Sequence, residues 1–576
     1  MLDVLLSGGT LVDGTGAPAR AGDVGVADGR IVAVGEVDDP AREVVDCAGQ
    51  VVAPGLIDPH THYDAQLFWD PTTSASALHG VTTILGGNCG FTLAPLDERD
   101  AEYLQRMMAK VEGMPLPALE QGVPWNWRTF GDYLDRLEGN VGVNVAFLAG
   151  HCALRRRVMG PDSVGNEATP NQQEAMVQLL HESLTQGALG FSTSLSFTHS
   201  DGDGQPVPSR WASRDEVVAL CGALRDHEGT TVEYVTDGAL RGFRDDEIAL
   251  MADMTLAARR PLNWNVLTVD AKEPHRYRNQ LDACRNAAEA GGSSIALTMP
   301  VLVDMNMSFG TFCALHMLPD WNQVMDLPIP QRIEKLRDPQ VRRFLAERAR
   351  APEAGVIGRL TAWGRYRIGD TFSAANEGLK GRTIADLAAE QGRDEFDVLL
   401  DVVIADELRT VLWPLPTDDD DASWKLRAEV WENPMVLIGG SDAGAHLDRM
   451  CGAPYPTTWL ADVLRGRRLI SLERAVQLMT QAPARLFGLR DRGEIRAGNR
   501  ADLVVFDPET VDSEDATLVR DLPGGTARLF AGSRGVDRVY VNGTATVADG
   551  KSTGALPGTV LRSGRDTYTV PIPADR

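Results

Sequence analysis

A chain of 576 residues has room for one very large domain or two to four ordinary ones. With 43% hydrophobic and 24% charged residues it can bury a large core, which excludes wholesale disorder. A formal net charge of −25 argues against bare nucleic acid and anionic lipid as partners, since both repel an acidic surface.

The N-terminus, Met1-Leu2-Asp3-Val4-Leu5-Leu6, carries an acid where a secretory leader carries bases. No apolar run approaches the roughly 20 residues of a membrane span, so a cytoplasmic chain that does not engage membranes is expected. The seven cysteines are odd in number and never form CxxC, which speaks against a disulfide framework or a structural zinc site. Short β-prone runs at Val4 to Leu6, Thr10 to Val12, Asp23 to Val26, Arg30 to Val34 and Glu43 to Val45 are separated by glycine turns. The same texture returns at Ala501 to Asp507 and Arg538 to Gly543, predicting one β domain built from both chain ends. Two separate β caps are the alternative.

Between the ends, eight buried strands are predicted: Gln50 to Ile57, Val81 to Leu85, Asn144 to Leu148, Ala188 to Ser192, Thr231 to Val235, Leu262 to Val269, Ser294 to Leu297 and Met435 to Gly439. Amphipathic runs such as Asn171 to Gln186, Arg214 to His227 and Asp246 to Arg259 lie among them. Alternation of this kind predicts an α/β fold, a (β/α)8 TIM barrel, with a doubly wound open sheet as the alternative. No glycine-rich dinucleotide fingerprint supports the second. The expected division is residues 1–53 plus 487–576 as a composite β-sandwich and 54–486 as the barrel. An insertion at about 303–395, rich in aromatics, is expected to cover the active-site face, with a plain peripheral helix pair as the alternative; Asp338 and Pro339 suit the start of a helix within it.

Chemistry gathers at strand ends. His60 and His62 stand two apart at the end of an apolar run, so strand geometry points both imidazoles to one side, where they could chelate a divalent ion. Asp442 follows a buried strand and Gly439-Gly440, placing it at the same barrel face as a metal ligand and an acceptor for the proton of an attacking water. An aspartate there could instead cap the next helix. Cys89, in Gly86-Gly87-Asn88-Cys89-Gly90, sits at a strand-to-loop junction where a thiolate ligand could form. His151 could orient substrate or serve the structure alone, and Arg155, just beyond it, could supply charge for a substrate carboxylate or be solvated or structural.

These segments together resemble the amidohydrolase superfamily, and within it the D-aminoacylase-like branch of N-acyl-D-amino-acid deacylases. The resemblance runs from about residue 2 to 550 and rests on Asp13-Gly14-Thr15-Gly16, Pro54-Gly55-Leu56-Ile57-Asp58-Pro59-His60-Thr61-His62, Gly87-Asn88-Cys89-Gly90, Gly150-His151, Gly440-Ser441-Asp442 and Pro483-Ala484-Arg485-Leu486-Phe487-Gly488-Leu489. It implies a barrel with a β-sandwich, zinc or a related ion, His60, His62, Cys89 and Asp442 as ligands, Asp442 as catalytic acid/base, and His151 in the mouth. The branch places one histidine after strand five and another after strand six; here Asp237 stands at the first, and Trp264 or Asn265 at the second. The second metal site is therefore expected to be missing, leaving one Zn2+ per chain.

The function expected is hydrolysis of a non-peptide C–N bond in a small molecule, an N-acyl amino acid or a similar amide, by a metal-activated water with Asp442 as acid/base. Asp237, Asn265, His151 and Arg155 are the expected substrate contacts, with Glu233 a further candidate. A cyclic amide or carbamate hydrolase, a single-metal lyase or decarboxylase, and a degenerate non-catalytic barrel are the alternatives. Homo-oligomer formation through β edges stays open.

Overall fold

In the computed structural model, which describes residues 1–575, the run expected as one strand from Gln50 to Ile57 is broken in two. Val51–Pro54 joins a nine-stranded sheet, whereas Leu56–Asp58 opens the barrel. Gly55 makes the break: a Cβ there would stand 2.2 Å from Thr82 Oγ1, so only glycine lets the chain cross between the sheets.

The nine-stranded sheet draws on both chain ends. Leu503–Phe506 pairs antiparallel with Val51–Pro54, Val504 opposite Ala53, and on its other side with Val536–Val541. Leu2–Leu11, Arg20–Ala27, Arg30–Gly35 and Ala41–Asp46 complete the N-terminal part. Leu6, Val24, Ile31, Val52, Leu503 and Val505 share one core, the alternate inward positions of their strands.

The barrel strands are β1 (Leu56–Asp58), β2 (Val81–Gly86), β3 (Asn144–Phe147), β4 (Gly190–Ser194), β5 (Thr231–Val235), β6 (Leu262–Asn265), β7 (Ser294–Thr298) and β8 (Val436–Ile438). All pair in parallel from β1 to β3; Ala149–Gly150, continuing β3, pairs with β4, and the order runs on through β5, β6, β7 and β8. Beyond β8 the ring is joined by the Asp442 N–H donating to the His60 carbonyl at 3.2 Å and the His62 N–H donating to the Ala443 carbonyl at 2.7 Å. The result is the TIM barrel with its β domain. Ile57, Leu85, Ala146, Leu297 and Leu437 pack together with Phe487 and Leu489. Burial of each large side chain contributes about 1.5–3 kcal/mol, and a filled interior leaves polar chemistry to the strands' C-terminal ends.

Helices form where the period of the sequence indicates. Pro170–Thr185 starts behind Thr169, whose hydroxyl accepts the Gln172 N–H while Gln172 reciprocates, and Pro170 occupies the first turn. Arg214–Ala223 starts behind Ser213, whose hydroxyl accepts the Glu216 N–H, and Asp245–Ala258 starts where Glu247 accepts the Arg244 N–H. All seven cysteines are free thiols, six of them buried. Among the described residues no helix is long and apolar enough to cross a membrane.

The chain forms two compact units: Met1–Val301 joined by the chain from Ala422 onward, and Leu302–Asp421. The second has its own core around Trp321, Trp363 and Phe396, with the two indoles stacked at 5.8 Å. It runs past residue 395 because the helix Glu395–Ala405 belongs to that core and Leu412–Pro414 pairs with Tyr366–Ile368. Its helix Pro339–Ala349 is capped by Asp338, which accepts the Gln340 N–H at 2.7 Å.

Candidate active site

β1 ends at Asp58, and the next four residues are pinned from both sides. The Thr61 N–H donates to the Leu85 carbonyl of β2 at 2.9 Å, while the bonds to Ala443 and Asp442 hold the other flank. Asn88 Nδ2 donates to the carbonyls of Thr61, at 3.2 Å, and Leu85, at 2.9 Å. Buried Asp58 accepts the N–H groups of His60 and Ser441, tying the loops after β1 and β8 together, and burial pushes its carboxyl up to about 6. With the backbone fixed, the His60 and His62 rings stand 5.2 Å apart, nearly perpendicular and buried.

Two further strand ends reach this pair. Cys89 adopts left-handed backbone at φ 58°, its N–H donating to Glu233 Oε2 at 2.8 Å. That turn brings Sγ within 3.4 Å of His60 Nε2 and 3.8 Å of His62 Nε2. Asp442, also left-handed at φ 59°, sets Oδ1 3.1 Å from His62 Nε2 and 3.6 Å from His60 Nε2. Non-glycine residues in this region cost on the order of 1–3 kcal/mol each and persist where surroundings over-determine them, as they do at functional sites. Gly444 allows the β8 loop to pass: a Cβ there would meet the His62 backbone at 2.5 Å.

Two residues that sequence reasoning missed complete the cluster. Glu112, the residue after the helix Ala101–Val111, places Oε2 3.6 Å from His62 Nε2. His446, four residues after Asp442, has Nε2 3.4 Å from Asp442 Oδ2. A histidine four residues beyond Asp442 in the same glycine-rich loop was a usable signal; Glu112 lies in a connection with no periodicity to flag it.

The electrostatics ask for positive charge. Burial, then the neighbouring His62, hold His60 down to about 3, so its ring is neutral and offers a lone pair. Burial opposes charge on His62 as well, but Glu112, Asp442 and Asp64 outweigh it and push the imidazole up to about 10. Asp442 falls well below the usual carboxylate range because bonds to His446 and His62 overcome its burial. Carboxylates that stabilise an imidazolium stabilise a dication in its place equally well. The donor atoms suit one: ligands on a tetrahedral zinc with bonds of about 2.0–2.3 Å stand roughly 3.3–3.7 Å apart. Each imidazole stands 3.1 to 3.8 Å from the Cys89 thiol and the Asp442 carboxylate, close to that range, and the donors fall in two groups that share His62, one with His60 and Cys89 and one with Glu112 and Asp442.

Strands β5 and β6 bring different groups. Wholly buried Glu233 accepts from both the Cys89 N–H and Asn265 Nδ2, and burial raises its carboxyl to about 8. Asp237 does not take the expected place in the site: β5 ends at Val235, the chain turns, and Asp237 pairs with Arg244 at 3.1 Å. Trp264 points away, its Nε1 donating to Cys284 Sγ at 3.3 Å, so Asn265 is the β6 residue that faces the cluster. His151 bonds Thr193 and Glu216, each at 2.8 Å, and Arg155 grips both Glu216 oxygens at 2.6 Å; both side chains are fully buried and engaged with these partners.

Comparison with known proteins agrees with this architecture. The amidohydrolase family model matches residues 43–552. An N-acyl-D-aspartate deacylase of Alcaligenes xylosoxydans is 31% identical, covering 98% of this chain and 95% of that protein. A D-aminoacylase of the same organism is 30% identical over 97% of each. Among solved structures, a D-aminoacylase superposes with a TM-score of 0.63 at 28% identity, covering 98% of this chain and all of that one. An N-acyl-D-glutamate deacylase of Bordetella bronchiseptica, complexed with zinc and a phosphonate mimic of the tetrahedral intermediate, gives 0.62 at 27% with the same coverage. A barrel with its histidine pair, cysteine and aspartate at the strand ends, matched along nearly its whole length, places the chain: it belongs to the amidohydrolase family.

Proposed function

We propose that this chain is a metal-dependent amidohydrolase that removes the acyl group from an N-acyl-D-amino acid, with one zinc ion per chain held by His60, His62, Cys89 and Asp442. The observation that carries this reading is the convergence of two imidazole nitrogens, a thiol and a carboxylate, with neighbouring donors 3.1 to 3.8 Å apart. The bound ion supplies Lewis acidity toward the amide carbonyl and toward water.

The protein's own groups handle the proton. The Asp442 side chain is 30% exposed whereas the imidazoles beside it are buried, so the carboxylate is the group that substrate and water reach. Its Oδ1 faces the histidines and Oδ2 faces His446, which fixes its orientation. Asp442 accepts a proton from the attacking water and returns it to the leaving nitrogen as the C–N bond breaks, giving a carboxylic acid and a free amine. The named activities of the relatives on D-amino-acid derivatives support the substrate class.

The test is a panel of N-acetyl-D- and N-acetyl-L-amino acids with acidic, neutral and aromatic side chains, followed by amine release. Amine is expected from D members only, and not after chelation. No amine from any member of the zinc-loaded panel ends the proposal; carbon dioxide without amine assigns a lyase instead. Elemental analysis is expected to find one ion per chain, and two would overturn the stoichiometry.

A further inference from the structure

Glu112 has no part in the steps above, yet its carboxylate is aimed at the centre. Its side chain is only 3% exposed, and among the described residues it takes no hydrogen bond; His62 Nε2, 3.6 Å away, is its ion-pair partner. A buried carboxylate without hydrogen bonds is unfavourable unless a cation compensates it. His62, Glu112 and Asp442 each bring one ligand atom within 4.8 Å of the others, a nitrogen and two oxygens suited to a divalent ion. The backbone is held for this purpose: the His446 N–H donates to the Glu112 carbonyl, tying it to the loop that carries Asp442, and Gly113 at φ 58° turns the chain away.

We propose that Glu112 is a protein ligand of the divalent ion that His62 and Asp442 hold, contributed by the connection between β2 and β3 rather than by a barrel strand. The inference rests on the metal-dependent reading above. It explains how the ion's charge is balanced where β5 and β6 present Glu233 and Asn265, engaged with each other, instead of further ligands.

Cobalt(II) reports the ligands directly. In a Cys89→Ser background, adding Glu112→Cys is expected to produce sulfur-to-cobalt charge-transfer absorption in the near-ultraviolet, since the remaining cysteines lie elsewhere. In the native background, Glu112→Gln is expected to weaken zinc at least about tenfold against a chromophoric chelator. Circular dichroism checks that each variant is folded. A folded double variant that binds cobalt without the band, or a Glu112→Gln affinity within twofold of native, overturns the assignment while leaving the metal-dependent reading intact. If the unsubstituted protein binds neither ion, that reading falls and this one with it.

Discussion

The two halves of the barrel mouth share a strand geometry and differ in what fills it. Around the ends of β1, β2 and β8, the donor atoms fall in two groups that share His62, one with His60 and Cys89 and one with Glu112 and Asp442, and among the described residues the Nδ1 atoms of both imidazoles make no hydrogen bond. Across the mouth, Asn265 Nδ2 donates to Glu233, Glu233 also accepts the Cys89 N–H, and Asp237 turns to Arg244. Groups that leave their valences open can take an ion or substrate. Groups that close on one another brace the wall behind them.

Substitutions on each side can break this contrast or sharpen it. Asp442→Asn should do the most: kcat for amine release is expected to fall at least about 10³-fold, the upper range for loss of a proton shuttle. Activity within tenfold of native would remove Asp442 from that role. His62→Asn removes the donor shared by both ligand groups, and zinc affinity is expected to fall by about 100-fold or more in chelator competition. Retention of native affinity would place the ion elsewhere. On the opposite wall, Asn265→Ala strips a buried hydrogen bond from Glu233 and should cost about 2 kcal/mol in urea unfolding while zinc content stays native. Loss of zinc in that variant would erase the distinction between the halves.

The smallest effect belongs outside both. His79 is buried, bonded to Thr457 Oγ1 at 2.7 Å and the Ala531 carbonyl at 3.1 Å, and burial holds it down to about 4. Its folded value lies below its unfolded one, so the unfolded chain binds more protons between them, and stability is present above about 6.5 and lost as pH falls toward 4. Lowering pH from 7 to 6 should cost the native protein about 0.7 kcal/mol through this group alone. Urea midpoints for the native chain and His79→Gln check it: an unchanged difference between them would show that His79 does not titrate in this way.

Much of the fold was legible because its signals are local. Strand and helix periods located the elements to within a few residues, and the two-residue spacing of His60 and His62 carried their common orientation. The failures arise where geometry is set through space. Arg155 reads equally as a source of charge for substrate or as a structural residue, and it lies four residues after His151 on a helix, the spacing that stacks both against Glu216. Alternation along β5 sends residues 233, 235 and 237 to one side, yet the strand stops at Val235; Glu233 keeps the inward position and Asp237 leaves with the turn. Glu112 reaches the centre by tertiary folding of a long connection, which no spacing in the sequence encodes.

The antiparallel pairing of Val51–Pro54 with Leu503–Phe506 also dictates an order of assembly. Roughly 450 residues separate the partners, and a ribosome adding about 5–20 residues per second needs on the order of a minute to bridge them. Throughout that interval the first strands of the nine-stranded sheet wait with an open backbone edge, a template for pairing with another chain. Meanwhile β1, one glycine away, is already free to start the barrel. A transcript cut short before Leu503 would yield a chain carrying every residue of its metal cluster yet prone to self-association, so solubility, more than chemistry, depends on the last seventy-odd residues.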